Sequence, residues 1–530
     1  MSFFLNAQEW NNLITGTSNG MTEGTAIDYT SGGSICFTGN FRNDFSIGSS
    51  HLPGHSFYNG MIGKCSPDGT IAWVESITST RDISMQSVRV SDQFLLVAGE
   101  FSDSLFIRND TLVNAFQKGI FLSLFDTSGN YFASITPVVE SASIFDVLFS
   151  EDKQIYVTGQ FYRSFELDGF ELDSPADFNM FTFKYDLNTQ TTEWLIASDG
   201  YGTSGNGIDL DEDGNIYIIG SYGDNTSILG NLLDNNNSNH NFYVLKTDSN
   251  GNFQWVKTIR GEGQVHGTAI TVAKNGTSYF TGDFQLSVDS LAGSVITAEG
   301  FSSALVGKLD HNGELVWLEA IGGTGEDKGV DVLLDSLEAP IFLINSGENP
   351  YIGSIPVALN GFVEPLLVKL HPDNGELVWQ QTISAQSPSG TVNPLGMACF
   401  DGSIAIIGRN RTGLVFENTL YEAPYLRDFF IATVQDTTFL PVSTASLPDQ
   451  QENQFTVFPN PSSASFHVAG ANKLKQVEVY TTSGTLVQRI STPDNSLPFS
   501  FGETLYPGNY IFRMTDTEGY QYTVIGVKIQ

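Results

Sequence analysis

Short runs of alternating apolar and polar residues follow one another along most of the chain, and turn residues separate them. Runs such as Phe37-Thr-Gly39-Asn-Phe41 and Phe242-Tyr-Val-Leu-Lys246 are rich in the aromatic and β-branched residues that favour strands. Long Leu/Ala/Lys/Glu stretches, typical of helices, are few, whereas Gly (53), Phe (39) and Tyr (19) are abundant. The pattern predicts an all-β chain rich in turns.

The tryptophans recur at nearly constant intervals along the chain, at Trp10, Trp73, Trp194, Trp255, Trp317 and Trp379. Successive gaps are 63, 121, 61, 62 and 62 residues, and Phe132, in a matching context, fills the double gap. A tight turn precedes the tryptophan, as in Asp310-His-Asn-Gly313-Glu-Leu-Val-Trp317. A fixed period near 62 indicates a repeat architecture.

Each period contains four strand candidates, which is the content of one propeller blade. The last period, residues 395–436, lacks a tryptophan strand, and the chain begins with an unpaired one at Trp10. We therefore predict a seven-bladed β-propeller over residues 8–436, closed by the N-terminal strand. The repeat resembles the seven-bladed β-propeller repeat family of bacterial secreted proteins, which has no single activity. Its turns before tryptophan are similar to the structural tryptophan-docking repeat of quinone-cofactor dehydrogenases.

The residues after the propeller change character. Residues 437–454 have the Pro, Ser and amide content of a linker, and residues 455–530 alternate like a small immunoglobulin-like β-sandwich. This module resembles the C-terminal sorting domain (type A) of type IX secretion, a route of some Gram-negative bacteria. The residues that carry the resemblance are Pro459, Asn460, Pro461, Gly484, Gly508, Tyr510 and Lys528.

The resemblance implies export. The type IX machinery is expected to recognise residues 455–530, remove them, and leave the protein attached to surface lipopolysaccharide or released outside the cell. Residues 1–7 are similar to the end of a signal peptide, so the mature chain is expected to begin near Gln8. The alternatives are an ordinary N-terminal segment and an ordinary immunoglobulin-like binding module.

The charge of the chain excludes some partners. The net charge is -35 with a pI near 4.3, and the propeller holds almost all of it because residues 455–530 carry equal numbers of acidic and basic residues. A strongly acidic protein is repelled by nucleic acid phosphates. No apolar run approaches the ~18 to 20 residues that cross a bilayer, so no transmembrane segment is predicted.

One sequence string is similar to a metal site. Asp209, Asp211 and Asp213 alternate before Gly214, as oxygen ligands do at the start of a calcium loop. The string also falls on a hairpin between two strands, where Asp-Gly forms a turn without any ion. A weak Ca²⁺ site and a plain turn both stay open, and no other cofactor is predicted.

The strongest candidate for a binding surface is the face that carries the loops between second and third strands, because loops on a rigid scaffold often carry recognition. The polar residues that end the second strands should approach the middle of that face, either as solvated strand ends or as a ligand site: Asn40, Glu100, Gln160, Ser221, Asp283 and Arg409. No catalytic residue is assigned.

The function predicted from the sequence is a secreted or surface-displayed, non-catalytic binding or adhesion module for a polysaccharide or another surface ligand. The alternative is an extracellular carbohydrate-active enzyme, a lyase or a hydrolase. An enzyme should show a deep carboxylate cluster with a raised pKa, and a binding module should show a shallow surface of aromatic and polar residues.

Overall fold

The chain divides into two units, Met1–Leu440 and Pro441–Gln530, in the computed structural model. The structure describes residues 10–436 except 92, 115, 117, 151, 236–239, 292–293, 418 and 424–426. In the second unit it describes residues 455–528 except 459–461, 463, 471–473, 482–485, 492–498, 504, 506–507 and 517–520. The predicted signal-peptide remnant, the linker, and the sorting residues Pro459, Asn460, Pro461 and Gly484 lie outside the described residues.

The described part of the first unit contains no α-helix and is built on seven four-stranded antiparallel sheets. In every sheet the four strands pair with their neighbours in the order first to fourth. Sheet 1 is Thr22–Tyr29, Ile35–Phe41, Asn59–Cys65 and Ile71–Ser79; sheet 2 is Ile83–Val90, Phe94–Phe101, Gly119–Asp126 and Tyr131–Ile135. Sheet 3 is Val138–Phe149, Gln154–Leu167, Phe170–Asp186 and Thr191–Asp199; sheet 4 is Ser204–Leu210, Ile216–Tyr222, Asn241–Thr247 and Phe253–Ile259.

Sheets 5 to 7 follow the same order. Sheet 5 is Val265–Val272, Ser278–Phe284, Ser303–Leu309 and Leu315–Gly322; sheet 6 is Lys328–Leu334, Pro340–Ser346, Glu364–Leu370 and Leu377–Thr382. Sheet 7 is Thr391–Phe400, Ser403–Arg411, Asp428–Gln435 and Trp10–Ser18, so the N-terminal strand lies beside the last strand of the unit. Its register pairs Leu13 with Ala432 and Thr15 with Phe430.

The sheets are arranged around an axis. The first strand of each sheet contacts the first strand of the next, and the first strand of sheet 7 contacts that of sheet 1. The apolar cores lie between neighbouring sheets: one cluster joins Leu122 of sheet 2 to Ile155 of sheet 3, and another joins Leu343 of sheet 6 to Ile406 of sheet 7. Burial of each sheet face by its neighbour is the packing of a β-propeller.

The insertions between second and third strands form short hairpins in most sheets. The hairpin of sheet 1, Phe45–Ile47 with Ser50–Leu52, pairs with the N-terminal strand of sheet 7. Those of sheets 2, 4, 6 and 7 pair in the same way with the fourth strand of the preceding sheet or its continuation: Ser104–Ile107 with Asp110–Val113, Ser227–Ile228 with Asn231–Leu232, Tyr351–Ile352 with Ile355–Pro356, and Leu414–Phe416 with Thr419–Tyr421. The remaining short strands are Ser287–Asp289, Val295–Thr297 and Ser384–Ala385. The hairpins of sheets 1, 2, 4, 6 and 7 therefore join each of these sheets to the preceding one by backbone hydrogen bonds.

The tryptophan repeat marks a contact between neighbouring sheets. The Nε1–H of Trp73 donates to the carbonyl of Thr127, 3.3 Å away, and that of Trp194 donates to Ser249, 3.2 Å away. Each acceptor lies in the turn before the fourth strand of the next sheet. The glycine of that turn lies against the indole, since a Cβ on Gly129 would be 3.3 Å from Trp73. The period of about 62 is thus the distance from one sheet to the next along the chain.

Two positions differ from the predicted repeat by a small shift in register. In sheet 2, Ala133 stands where sheets 1 and 3 to 6 have tryptophan, because Leu124 pairs with Ala133 as Lys64 pairs with Trp73. The assignment of Phe132 to this position was wrong by one residue. In sheet 7, Thr433 of the third strand pairs with Asn12 of the fourth, as Lys64 pairs with Trp73 in sheet 1. Asn12 therefore occupies the tryptophan position, and Trp10 lies two residues before it. There the amide of Asn12 donates to the carbonyl of Pro67, 3.3 Å away.

The second unit contains two sheets that share one core. One consists of Phe455–Phe458, Phe466–Gly470 and Phe499–Phe501, and the other of Leu486–Ser491, Leu474–Thr481, Gly508–Asp516 and Gln521–Lys528. Phe466, Phe501 and Phe512 pack against one another with ring centroids 4.7 to 5.7 Å apart. Tyr510 is buried in this core, and the buried Lys528 ammonium donates to the carbonyls of Gly502 and Ala464. Gly508 begins the strand that carries Tyr510.

Candidate functional site

The centre of the propeller is lined by a repeated β-bulge. The first strand of all seven sheets shifts register at the same place relative to the second strand, as between Gly24 and Ala26 in sheet 1. A bulge redirects one side chain away from the regular alternation. The residues at these shifts are Thr25, Gln86, Phe145, Asn206, Thr268, Val330 and Leu395, and all of them line one central cavity of 870 Å³.

The polar residues predicted at the ends of the second strands surround the mouth of this cavity. Four of them line it: Asn40, Gln160, Ser221 and Arg409. Glu100 lines a neighbouring 560 Å³ pocket together with Asn40, and Asp283 bonds to His266 on the cavity wall. We call these six residues and their counterpart in sheet 6, Asn345, the polar ring. Asn345 was missed because Ile344 replaces the glycine that precedes the others.

Side chains of neighbouring strands contact the polar ring through hydrogen bonds and ion pairs. Arg409 forms an ion pair with Glu23, whose Oε1 also accepts a hydrogen bond from Asn40 at 3.4 Å. Lys118 lies 2.6 Å from Glu100 and also donates to Ser143. Burial raises the pKa of Glu100 in spite of this ammonium group. Hydrogen bonds and ion pairs therefore hold the Arg409, Asn40 and Glu100 side chains of the ring in place.

Two histidines stand at one side of the cavity. His266 Nδ1 lies 3.2 Å from Asp283 Oδ2, and the ring of His240 lies edge-on to His266 with centroids 6.2 Å apart. A carboxylate on one ring nitrogen fixes the orientation of the imidazole and leaves the other nitrogen for a ligand. Sequence reasoning did not find this pair because His240 lies just before the third strand of sheet 4, whereas His266 lies in the first strand of sheet 5.

Deeper in the channel, four carboxylates join neighbouring sheets. Asp28, Asp146, Asp209 and Asp331 each accept one hydrogen bond from the backbone N–H of the following residue. Each also accepts one from the first strand of the next sheet, with donors Val90, Ile208, Val272 and Met397 at 2.7, 3.1, 2.7 and 3.0 Å. Both oxygens of every carboxylate are engaged, so this cluster, which we call the aspartate clamps, holds sheets together.

Arg89 is the cation among the aspartate clamps. Its Nη2 lies 2.7 Å from Asp146 Oδ1, and the other three carboxylates also raise the pKa of the guanidinium. Burial raises the pKa of all four carboxyl groups, opposed by the hydrogen bonds at each of them and by Arg89 at Asp28, Asp146 and Asp331. The pKa of Asp209 and that of Asp331 rise to about 6.

The predicted calcium string is divided between two environments. Asp209 is an aspartate clamp, and Asp211 accepts hydrogen bonds from Asp213 N and Asn215 N and lies 3.2 Å from the Lys246 ammonium. The carbonyl of Asp211 accepts from Gly214 N, which closes a turn. Among the described residues, no group of three or more His, Cys, Asp or Glu side chains is placed to hold a metal ion. The three aspartates thus take part in clamp and turn contacts, and the calcium site stays a prediction.

Exposed phenylalanines recur around the loop face. Phe57, Phe301 and Phe362 each lie two residues before the start of a third strand and are 49, 67 and 55 % exposed. In the longer third strand of sheet 3, Phe178 lies one residue before Asn179, the counterpart of Asn59, and it lines the cavity. Since equivalent positions of a radial repeat lie at the same height, these four form an aromatic rim around the polar ring.

Comparison with known proteins identifies the second unit. Residues 456–527 match the family model "Secretion system C-terminal sorting domain". The module is therefore a type IX sorting domain, which directs the chain to the cell surface or the extracellular space. No helix in the described part of the chain is long and apolar enough to span a membrane. Comparison with curated proteins gives no match.

Solved structures are similar to the chain at low sequence identity. Hydrazine synthase of Kuenenia stuttgartiensis is 12 % identical with a TM-score of 0.43, covering 79 % of this chain and 97 % of the other. Quinohemoprotein alcohol dehydrogenase of Comamonas testosteroni is 9 % identical (TM-score 0.37, 84 % and 80 % covered). A polysaccharide lyase, PL25 ulvan lyase, is 10 % identical (TM-score 0.40, 78 % and 95 % covered). At these values the neighbours do not bear on the activity of this chain.

Proposed function

We propose that the exported propeller is a non-catalytic binding module that holds a polysaccharide over its loop face. The observation that carries the proposal is the aromatic rim around the polar ring. Exposed aromatic rings offer flat apolar faces for sugar rings, and the polar ring offers hydrogen-bond donors and acceptors beside them. The polar ring lies at the ends of sheet strands, and groups that are already in place lower the entropy cost of binding.

The carboxylates of the channel support binding rather than catalysis. A general acid or base must offer an oxygen to the substrate within hydrogen-bond distance. The aspartate clamps use both oxygens on backbone N–H groups of two sheets. Their raised pKa follows from their place in the channel and requires no catalytic role.

The test measures polysaccharide binding by the purified full chain. Replacing Phe301 or Phe362 by Ala should weaken binding about threefold to tenfold each, because one stacking ring is lost. The matched control is Phe253→Ala, since Phe253 is 37 % exposed at the start of a fourth strand, at the opposite end of the sheets. Equal losses in all three variants, or no polysaccharide that binds, would argue against the aromatic rim as the site.

The alternative is a carbohydrate lyase, and one observation favours it. The carboxylate of Asp283 orients His266 on the cavity wall, which is the arrangement of a general base with its positioning group. A lyase would remove a proton beside a uronate carboxylate and expel the glycosidic oxygen, leaving an unsaturated sugar. Appearance of unsaturated product with the full chain, lost in His266→Ala, would replace binding by catalysis as the main function.

Processing follows from the sorting domain and is tested separately. The protein recovered outside its host cell should begin near Gln8 and end between Leu440 and Phe455, and it is either anchored to lipopolysaccharide or free in the medium. Mass spectrometry of both termini in cell and medium fractions decides this. A chain that keeps residues 455–530 inside the cell would contradict it.

A further inference from the structure

The central cavity carries more carboxylates than cations. Two of the residues that line it have a guanidinium group and four have a carboxylate, namely Arg89, Arg409, Glu23, Asp146, Asp177 and Asp331. Both guanidinium groups are paired with a carboxylate, Arg89 with Asp146 at 2.7 Å and Arg409 with Glu23. Asp177 and Asp331 remain in excess, so the lining of the cavity attracts cations and repels anions.

Asp177 stands beside a ring of the aromatic rim. Its Oδ1 accepts a hydrogen bond from the backbone N–H of Phe178 at 2.7 Å, and its side chain forms no ion pair with the residues that the structure describes. Phe178 is 36 % exposed and lines the same cavity. A sugar ring that stacks on Phe178 therefore lies next to a carboxylate that has no cation of its own.

The cavity wall also holds a buried hydroxyl group. Ser87, in the first strand of sheet 2, lines the cavity and is 3 % exposed. Its Oγ makes no hydrogen bond to any group in the described part of the chain. A buried polar group without a partner costs free energy, and a ligand that bonds to it removes that cost.

These groups suit an organic cation better than a metal ion. No three or more His, Cys, Asp or Glu side chains of the described residues are placed around a common point where a metal ion could bind. A metal ion needs several oxygen ligands to replace its hydration shell, whereas an ammonium group needs only acceptors for its N–H groups. The carboxylate of Asp177 and the hydroxyl of Ser87 are acceptors of this kind.

We propose that the polysaccharide held by the loop face carries free amino groups, as a glucosamine polymer does, and that its ammonium groups are bound by Asp177 and by the cavity wall at Ser87. The inference rests on the proposed function and names its substrate class. Nearby carboxylates favour the charged form of an amine, so the sugar binds as an ammonium ion. Uronate and sulfated polysaccharides are repelled by the same carboxylates.

The experiment titrates the full chain with three oligosaccharides of equal length and β-1,4 linkage, made of glucosamine, N-acetylglucosamine or glucuronic acid. Calorimetry at neutral pH gives the dissociation constants. The glucosamine oligosaccharide should bind about tenfold more tightly than the N-acetylated one, and the glucuronic acid oligosaccharide should bind most weakly. A lysine oligomer of equal charge should bind at least about tenfold more weakly than the glucosamine oligosaccharide, because it has no sugar rings for the aromatic rim.

Variants separate the cavity from the general attraction of a chain of net charge -35 for any cation. Asp177→Asn keeps the shape of the side chain and should reduce the preference for glucosamine over N-acetylglucosamine to about threefold. The matched control is Asp173→Asn, since Asp173 is an exposed carboxylate on the same strand that is not part of the cavity lining. Ser87→Ala should weaken binding of the glucosamine oligosaccharide about threefold to tenfold.

The outcomes distinguish this inference from the function on which it rests. If the N-acetylated or the glucuronic acid oligosaccharide binds as tightly as the glucosamine one, the substrate class is wrong and polysaccharide binding stands. Equal losses in Asp177→Asn and Asp173→Asn, or equal binding of the lysine oligomer, would assign the preference to surface charge and overturn the inference. Absence of binding to all three oligosaccharides would count against both proposals.

Discussion

At the scale of single residues, Asp209 shows why a carboxylate in a channel need not be catalytic. Its oxygens accept from Leu210 N, Val272 N and the Thr271 hydroxyl, so the side chain connects sheet 4 to sheet 5. The same contact joins sheets 1 and 2, 3 and 4, and 6 and 7. Burial disfavours the charged form of each of these carboxyl groups more than the hydrogen bonds favour it, which explains the raised pKa at each position.

The raised pKa of Asp209 and of Asp331, about 6 for each, predicts that the propeller gains stability on mild acidification. A carboxyl group that binds its proton more tightly when folded stabilises the fold fully below its unfolded pKa near 3.8, and this stability is lost as pH rises through about 6. The free energy of unfolding should therefore be higher at about pH 5 than at about pH 7.5, by roughly 2 to 3 kcal/mol. Denaturant titrations at the two pH values measure it.

Asp209→Asn provides the control for this pH dependence. The variant cannot titrate at this position, so its gain in stability between the two pH values should fall to about half. Carboxylates in turns set the lower pH limit of this gain in stability. Hydrogen bonds lower the pKa of Asp248 and of Asp186, so the stability that these hydrogen bonds contribute is lost only as pH falls below about 4. A gain that is the same in Asp209→Asn would assign the effect to other groups.

At the scale of elements, the turn glycines predict a measurable cost for filling an indole junction. Gly251 has φ 77°, and a Cβ there would lie 3.1 Å from the Trp194 ring. Gly251→Ala therefore combines an unfavourable backbone conformation with a close contact, and we expect a loss of about 2 to 3 kcal/mol in the free energy of unfolding.

Gly230 separates these two causes because it has the same φ of 77° with no atom within 4 Å of an added Cβ. Gly230→Ala should lose only the backbone part, about 1 kcal/mol. Urea denaturation of both variants gives the difference. Equal losses would mean that the indole moves aside freely and that the junction contact contributes little.

The repeat period predicts the elements well and their register less well. The order of four strands per repeat and the pairing of the N-terminal strand with residues 428–435 agree with the pattern, because both depend on strand alternation and spacing. Phe132 was assigned to the tryptophan position because it is the aromatic residue nearest to the expected place, whereas the register puts Ala133 there. The bulge residues of the channel, from Thr25 to Leu395, were missed because a one-residue bulge leaves no mark in a hydrophobic pattern. Contacts between repeats, such as that of His240 with His266, cannot be read from the sequence pattern.

At the scale of the molecule, the charge of the propeller is distributed unevenly. The unit carries almost the whole net charge of -35, yet the loop face pairs Glu23 with Arg409 and Glu100 with Lys118. Cations are few, and several of them are placed at this face. A polysaccharide that approaches the loop face therefore meets paired charges, whereas the rest of the acidic surface repels anions.

The two units should also unfold independently, because each has its own core. The clusters of the propeller contain only residues up to Val434, and that of the sorting domain contains only residues from Val457 onward. Removing residues 455–530 should leave the melting temperature of the propeller transition unchanged.

Removing residues 1–18 should strongly lower the melting temperature of the propeller, since the buried strand Asp428–Gln435 would lose its partner and expose an edge. Calorimetry of the three chains measures both effects. An unchanged transition after loss of residues 1–18 would show that the N-terminal strand does not hold sheet 7, and a shifted one after loss of 455–530 would show that the units are coupled.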